Sequence, residues 1–212
     1  TGSFEQLVKL SLNLSSIQEA KKHLKDKDFS SKDLVHTPKI KQPKKVDESI
    51  LEQIQPVHDY WLNRGISLET LQNFSGGVVE NGRMKNRYVF PIFDSKNKLI
   101  GLSGRSLDKD PKIKWKHLGQ KDQWKYPAQC NFKLLKDCEQ CFLVESIGDM
   151  LKLWESGVKT AIVLFGLGLS TATLNLLIKC NPKKIYICTN NDNHKSFNSG
   201  LESAGKIKNK LE

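Results

Sequence analysis

Three short apolar runs, separated by segments long enough to form helices, restrict the fold of this chain more than any other feature. They occupy residues 141–144, 160–165 and 185–188 and are rich in β-branched and aromatic side chains. Runs of this length and composition, alternating with helix-length segments, are typical of buried parallel strands. The sequence therefore predicts an α/β layer over its C-terminal third.

The first and last of these runs end abruptly in carboxylate or carboxamide groups. Glu145 follows the first run, and Asn190 and Asp192 come shortly after the last. In parallel sheets, ligands bind just beyond the carboxyl ends of the strands. We therefore expect these three side chains to meet at one edge of the sheet, where together they could hold a divalent metal.

The first run and the residues after it form a known motif. Val144 and Glu145 end the predicted strand, and Asp149 follows four residues after the glutamate. This segment resembles the first motif of the TOPRIM domain, the metal-binding fold shared by DnaG-type primases, type IA and II topoisomerases and some nucleases. Ser146 stands where that family usually has glycine.

The second TOPRIM motif is a strand that ends in Asp-x-Asp. Here it reads Asn190-Asn191-Asp192, so that an amide replaces the first acid. The middle run is also similar to the family, because it ends in Gly166 and Ser170 opens the helix that follows. The resemblance thus extends over all three predicted strands.

The residues before this region distinguish between TOPRIM families. Residues 87–94 and 101–107 resemble the primase-specific subdomain, in which a basic residue precedes a Phe-Pro-Ile strand and a Gly-Gly-Arg-like strand end follows. Residues 60–67 are similar to the Tyr…Arg-Gly-Ile-Ser segment of the same primases. The resemblance covers roughly residues 55–212. It implies an α/β protein in which an α+β primase subdomain is followed by a TOPRIM parallel sheet.

We expect three segments along the chain. Residues 1–48 hold a helical segment and a basic, Pro-containing linker, residues 49–137 the basic primase subdomain, and residues 138–212 the TOPRIM metal-binding domain. Primases of this family usually carry a zinc-binding module ahead of this region and a further acidic motif behind it. The resemblance therefore implies that the sequence is truncated at both ends.

The family assigns chemistry to four of these residues. Glu145 and Asp149 are the expected catalytic carboxylates, and the expected ligands of Mg²⁺ or Mn²⁺ are Glu145, Asp149, Asn190 and Asp192. Such hard ions prefer carboxylate oxygens with several waters retained. Asn190 offers a carbonyl oxygen without charge. The alternative for Asp149 is a structural carboxylate at a helix N-terminus, which the helix dipole favours.

Residues 81–130 carry much of the positive charge of a chain whose formal net charge is +11. This window has twelve lysines and arginines against four aspartates, and Trp115, Trp124 and Tyr126 are interleaved with them. Single-stranded nucleic acid is bound by grooves that combine positive charge with aromatic stacking platforms. The alternative is a solvated basic face with structural tryptophans.

Four cations are expected to contact nucleotide or DNA. Arg87 and Arg105 flank apolar strand segments, and their planar guanidinium groups suit bidentate capture of phosphate across a cleft. Lys85 and Lys114 are expected to contact nucleotide or DNA because they match positions that the family uses for this purpose. His117 is expected to be an ordinary surface histidine, with contact to nucleic acid as the alternative.

The resemblance implies a DNA primase core that makes short RNA primers on single-stranded DNA from ribonucleoside triphosphates, with a replicative helicase as a further partner. The motif at Asn190 and an apparent insertion at residues 193–198 resemble bacteriophage versions more than bacterial ones. The alternative function is that of a catalytically impaired, primase-derived module that keeps DNA or helicase binding. The departures from the family motifs at Ser146 and Asn190 favour this alternative. A topoisomerase or TOPRIM nuclease would lack the Phe-Pro-Ile segment.

Composition restricts the compartment. Five cysteines, an odd number, fit a reducing cytoplasm better than a disulfide framework. Cys138 and Cys141 have the spacing of metal ligands, but no second pair or His-x-x-His accompanies them, which disfavours a four-coordinate zinc site. The sequence has no signal-peptide pattern and no apolar run of membrane-spanning length. We therefore expect a cytoplasmic protein, in the host cell if phage-encoded, without membrane contact.

Overall fold

The computed structural model describes residues 2–26, 46–191 and 197–212. The chain divides into two units, Thr1–Gln42 and Pro43–Glu212. Both sheets found among the described residues lie in the larger unit. The segment boundaries expected after residues 48 and 137 stay predictions.

The described residues of the first unit form two helices, α1 (Phe4–Ser11) and α2 (Ile17–Asp26). Ser3 begins α1: its hydroxyl accepts the backbone N–H of Gln6 at 3.3 Å, and the Gln6 side chain accepts the backbone N–H of Ser3 at 3.1 Å. This capping box satisfies two donors that a helix start leaves without partners. The predicted helical segment is therefore confirmed as a pair of short helices.

The second unit begins with a five-stranded antiparallel sheet whose strands lie side by side in chain order. Asp94 forms the turn between the third and fourth strands, since its carboxylate accepts the backbone N–H groups of Lys96 and Lys98 at 2.8 and 2.9 Å. The sequence predicts strands at residues 76–79, 88–93 and 99–103, which correspond to the second, third and fourth strands, and the outer two strands were missed. The strands are β1 (Ile54–Gln55), β2 (Gly77–Val79), β3 (Arg87–Phe93), β4 (Leu99–Ser106) and β5 (Trp115–Gly119).

The segment before the second strand is partly helical. The sequence predicts helices around residues 48–64, and the structure has a 3₁₀ helix (Glu48–Gln53) and the short helix α3 (Asp59–Leu62) there, separated by strand β1. Pro56 lies between β1 and α3. Proline disfavours helical geometry in the residue before it and favours an extended one. The chain therefore forms strand β1 between the two helical elements, which the sequence did not predict.

The rest of the unit is built on a parallel sheet in the order β7–β6–β8. All three strands and the α/β class were predicted and are confirmed. Ser170 begins helix α7 as expected, because its hydroxyl accepts the backbone N–H of Thr173 at 3.1 Å. The elements are β6 (Cys141–Val144), β7 (Ala161–Val163) and β8 (Ile185–Cys188), with α5 (Ala128–Leu135), α6 (Ile147–Glu155), α7 (Thr171–Cys180) and α8 (Ser199–Leu211) around them. Helix α4 (Leu68–Asn73) lies earlier in the chain, between β1 and β2.

Strand β6 separates two hydrophobic clusters, because successive strand residues face opposite sides of a sheet. Phe142 and Val144 pack with residues of α6 and with the aromatic side chains of β3. Cys141 and Leu143 pack with α7 and with Ile207 of α8. The first cluster joins the two sheets into one core. It thereby holds the carboxyl end of β6 close to strands β4 and β5.

Candidate active site

Glu145 lies at the carboxyl end of β6 and is held by a residue that follows β8. The backbone N–H of Asn190 donates to Glu145 Oε1 at 2.9 Å, and its side-chain amide donates to Oε2 at 2.7 Å. Parallel pairing of Val144 with Cys188 brings these two strand ends to the same edge. The expected proximity of Glu145 and Asn190 is therefore confirmed. The amide acts here as a donor to the carboxylate.

The segment that carries Asn190 is supported by α8. The hydroxyl of Thr189 donates to the carbonyl of Gly200 at 2.8 Å. A Cβ atom at Gly200 would overlap the backbone carbonyl of Asn190, so only glycine allows this close approach. The helix therefore fixes the position from which Asn190 holds Glu145.

Asp149 lies in the first turn of α6 and lines the same cavity as Glu145. Its Oδ2 accepts the backbone N–H of Ser146 at 3.1 Å and the Ser146 hydroxyl at 2.7 Å. The serine hydroxyl in turn accepts the backbone N–H of Asp149 at 3.4 Å, which completes a capping box. The structural role considered for Asp149 is thus observed. Its catalytic and metal-binding roles stay predictions.

The oxygen atoms of this edge fit a hard divalent cation. The carboxylates of Glu145 and Asp149 and the amide of Asn190 line one cavity. One or two carboxylates with retained waters commonly suffice for Mg²⁺. The described part of the chain contains no cluster of three His, Cys, Asp or Glu side chains arranged for a metal. Asp192, the fourth predicted ligand, lies outside the described residues.

One face of strands β4 and β5 forms the opposite wall of this cavity. Antiparallel pairing places Arg105 opposite Trp115 and Ser103 opposite His117. Directly paired residues project from the same face of a sheet. The cavity between this wall and Glu145 has a volume of about 360 Å³ and is also lined by Lys114, Ile147, Phe165 and Gly166.

Two of the four predicted cations, Arg105 and Lys114, line the cavity. Arg105 Nε donates to the hydroxyl of Tyr60 at 2.9 Å, and its guanidinium lies 5.9 Å from the centroid of the Trp115 ring. Lys114 is exposed, in the loop directly before β5. Lys85 is exposed too, but it does not occur among the described residues that line the cavity. Tyr60, noted in the sequence only as a family landmark, orients Arg105.

Arg87 does not reach across the cavity as the sequence predicted. Its guanidinium donates to the backbone carbonyls of Gly104 at 3.2 Å, Ile113 at 3.2 Å and Lys114 at 3.4 Å. Burial lowers the pKa of this guanidinium. Arg87 therefore fastens the loop between β4 and β5, the loop that presents Lys114. Direct contact of Arg87 with nucleotide or DNA stays a prediction.

His117 is not the surface histidine that was expected. It is half-buried, and its ring packs edge-on against Trp124 at 5.8 Å and Phe165 at 5.7 Å between centroids. Burial, together with the nearby positive charges of Lys121 and Arg87, lowers the pKa of His117 to about 4, so the imidazole is neutral at physiological pH. Ser103, paired with it, is fully buried. Sequence reasoning considered His117 only as a surface residue or a contact to nucleic acid, and it missed Ser103.

Two of the three aromatic residues predicted to stack on bases belong to the core. Trp124 and Tyr126 are 1% and 0% exposed, so that prediction is wrong for both. The indole of Trp124 fills the space above Gly101, where a Cβ atom would overlap it. Trp115 is half-buried and lines the cavity, so its predicted stacking role is kept.

No protein-family model matches the chain. Several curated DNA primases are similar to it in sequence. The Borreliella burgdorferi DNA primase is 29% identical over 138 residues, 61% of this chain. The Legionella pneumophila DNA primase is 31% identical over 115 residues, 52% of this chain, and that of Mycoplasma pneumoniae 35% identical over 89 residues, 41% of this chain. The chain is homologous to bacterial DNA primases.

Solved primase structures share its fold. A DnaG catalytic core superposes with a TM-score of 0.61 at 20% identity, covering 72% of this chain and 59% of that one. A DnaG primase catalytic domain bound to ssDNA gives 0.59 at 19% identity, covering 71% and 58%. The Aquifex aeolicus primase with its zinc-binding and RNA polymerase domains gives 0.60 at 18% identity, covering 95% and 59%.

The match to these primases is partial on their side. The chain spans 26%, 20% and 14% of the length of the three curated relatives. Sequence similarity and a shared fold therefore relate this chain to one part of a DNA primase.

Proposed function

We propose that this chain is the catalytic part of a DNA primase, which joins ribonucleotides into short primers on single-stranded DNA. The observation that carries the proposal is the cavity in which Glu145, held by Asn190, faces Arg105 and Lys114. Nucleotidyl transfer requires acidic groups for divalent cations and positive groups for the polyphosphate. Both occur here on opposite walls of one cavity.

The proposed cofactor is Mg²⁺ or Mn²⁺, held by Glu145, Asp149 and Asn190, with Asp192 completing the set. When bound, such an ion supplies charge neutralisation for the leaving pyrophosphate and activation of the attacking hydroxyl. The chain itself supplies a fixed Glu145 carboxylate, oriented by two hydrogen bonds from Asn190. Glu145 and Asp149 are the proposed catalytic carboxylates.

The cationic wall is proposed to bind phosphates of nucleotide and template. Arg105 is oriented by Tyr60, and a preoriented guanidinium forms strong charge-assisted bonds to phosphate. Lys114 contributes a second charge from a loop that Arg87 fastens. Lys85 is proposed to contact the DNA backbone outside the cavity. These residues position the reacting groups and do not take part in proton transfer.

The proposed partners are a single-stranded DNA template, ribonucleoside triphosphates and a replicative helicase. One of the primase domains with this fold is described as bound to ssDNA, which supports the first of them. No helix within the described ranges is long and apolar enough to cross a bilayer. A bacteriophage origin and a location in the host cytoplasm stay predictions.

Primer synthesis tests this function directly. The chain is incubated with single-stranded DNA, labelled ribonucleoside triphosphates and either Mg²⁺ or Mn²⁺. We expect short oligoribonucleotides that disappear when DNA is omitted or the metal is chelated. DNA binding without product in either metal would contradict the proposal and make a catalytically impaired primase module the better account.

A further inference from the structure

The cavity wall contains a pair of uncharged polar side chains that the proposed function has not used. Ser103 pairs with Phe90 on one side and with His117 on the other, so the three form one row across β3, β4 and β5. Ser103 and His117 both line the cavity that contains Glu145. They lie on the same face as Arg105, one pair further along the sheet.

These two side chains have polar atoms that nothing in the described structure satisfies. Ser103 Oγ and His117 Nδ1 are buried, and neither has a hydrogen-bond partner among the described residues. Buried polar side-chain atoms are nearly always hydrogen-bonded, because an unsatisfied one retains its full desolvation penalty. Two adjacent unsatisfied atoms beside a cavity indicate that a ligand group provides the missing bonds.

The chemistry of the pair selects an uncharged group. Burial keeps His117 neutral at physiological pH, so its ring offers one donor and one acceptor. The serine hydroxyl can also donate and accept. In the proposed function, phosphates bind the positive charges of Arg105 and Lys114 instead, which line the same cavity. The pair therefore suits a hydroxyl or an amide-like edge better than an anion.

The spacing places this pair within reach of a nucleotide whose phosphates bind Arg105. Same-face residues along a strand are separated by roughly 6.7 Å, twice the rise per residue. Ser103 therefore lies about that distance from Arg105 along β4. The sugar ring of a nucleotide, and the nearest edge of its base, lie within such a distance of its own phosphates.

We propose that Ser103 and His117 bind an uncharged hydrogen-bonding group of the incoming nucleotide, either a sugar hydroxyl or a polar base edge. The proposal rests on the primase function above and names the part of the substrate that this row recognises. Phe165 and Trp124 pack edge-on against the imidazole and keep its orientation fixed, as recognition of one group requires.

Ser103→Ala tests the proposal through two readouts that move in opposite directions. Removing an unsatisfied buried hydroxyl should raise the melting temperature by about 2 °C, while ATP binding in Mg²⁺ should weaken by roughly tenfold. Ser106→Ala is the matched control, because Ser106 is also buried in β4 but donates to Asp108 at 2.8 Å. It should lower the melting temperature and leave ATP affinity unchanged.

His117→Phe keeps an aromatic ring between Trp124 and Phe165 and removes both nitrogens. We expect a similar loss of ATP affinity. Titrations with ATP, CTP and 2′-deoxyATP separate the two sources of the bond. A loss shared by ATP and CTP but absent with 2′-deoxyATP assigns the 2′-hydroxyl, and a loss that depends on the base assigns the base edge.

The outcome that overturns the proposal is distinct from failure of the primase function. If both variants bind all three nucleotides as the unsubstituted chain does, while primer synthesis is observed, only the role of Ser103 and His117 is wrong. If the unsubstituted chain binds no nucleotide and makes no primer, the proposed function fails, and this inference fails with it.

Discussion

Asn190→Asp should make the metal-free protein less stable and the metal-bound site tighter. The wild-type amide donates to Glu145 at 2.7 Å, so the substitution removes that bond and places a second anion beside the carboxylate. The lost bond costs about 1 kcal/mol. Repulsion between two anions about 4 Å apart adds roughly 1 kcal/mol at the dielectric constant of water, the appropriate value for an exposed residue.

These two contributions predict a loss of about 2 kcal/mol, or a fall in melting temperature of roughly 4–8 °C in chelator. A divalent ion reverses the sign, because the added carboxylate attracts it. We expect Mn²⁺ to bind about fivefold more tightly than to the unsubstituted chain, a gain of about 1 kcal/mol. Calorimetric titration of Mn²⁺ and thermal unfolding with and without the ion measure both effects.

Two control variants separate charge from hydrogen bonding. Asn190→Ala removes the amide without adding charge, so it should lose about 1 kcal/mol of stability and gain no affinity for Mn²⁺. Asn191→Asp adds the same charge one residue along the chain, where the side-chain oxygen accepts a bond from Asn198 at 3.0 Å. If Asn190→Asp binds Mn²⁺ no more tightly than Asn191→Asp does, this edge of the sheet is not the metal site.

Two further variants test the cationic wall. Lys114→Ala should weaken binding to single-stranded DNA of any sequence and reduce the slope of log K against log salt by roughly 0.7, whereas Lys96→Ala, in the turn at the far end of β3 and β4, should leave the slope unchanged. An unaltered slope for Lys114→Ala would show that this lysine does not contact DNA. Arg87→Ala should destabilise the chain by about 2 kcal/mol and also weaken DNA binding, because three carbonyls lose their donor. Arg87→Lys should restore little, since an ammonium cannot reproduce the planar fork. If Arg87→Ala unfolds at the same temperature as the unsubstituted chain, Arg87 does not fasten the loop between β4 and β5.

The parallel sheet could be predicted from sequence because its signals are local. Each strand is an apolar run with a polar or glycine end, and Ser170 caps the helix that follows β7. Parallel pairing then brings Glu145 and Asn190 to one edge, whatever the details of packing. The apolar runs and their polar ends are local features, and a single sequence contains them.

Strand β5 was missed because its charges concealed its alternation. Trp115 and His117 face the cavity while Lys116 falls on the other face, but the run reads as a cluster of basic residues. The burial of Trp124 could not be predicted either, because its indole occupies the space that a side chain at Gly101 of β4 would fill. Such contacts between distant segments leave no local pattern.

The contacts of Arg87 show a different limit of prediction from sequence. A basic residue beside an apolar strand can serve a phosphate or a backbone carbonyl, and both readings need the same side chain. The choice is made by the loop from Leu107 to Lys114, which turns back so that the carbonyls of Ile113 and Lys114 lie within reach. Likewise, the donor role of Asn190 follows from its distance to Glu145, which the motif alone does not contain.

Glu145→Gln tests the central claim, that the edge of the sheet at Glu145 is where primers are made. The substitution removes one charge and keeps the size of the side chain, on the wall opposite Arg105 and Lys114. We predict that primer synthesis falls by about 100-fold or more in Mg²⁺ and in Mn²⁺, while affinity for single-stranded DNA stays within about twofold. Synthesis at the unsubstituted rate, or an equal loss of DNA binding, would contradict the account.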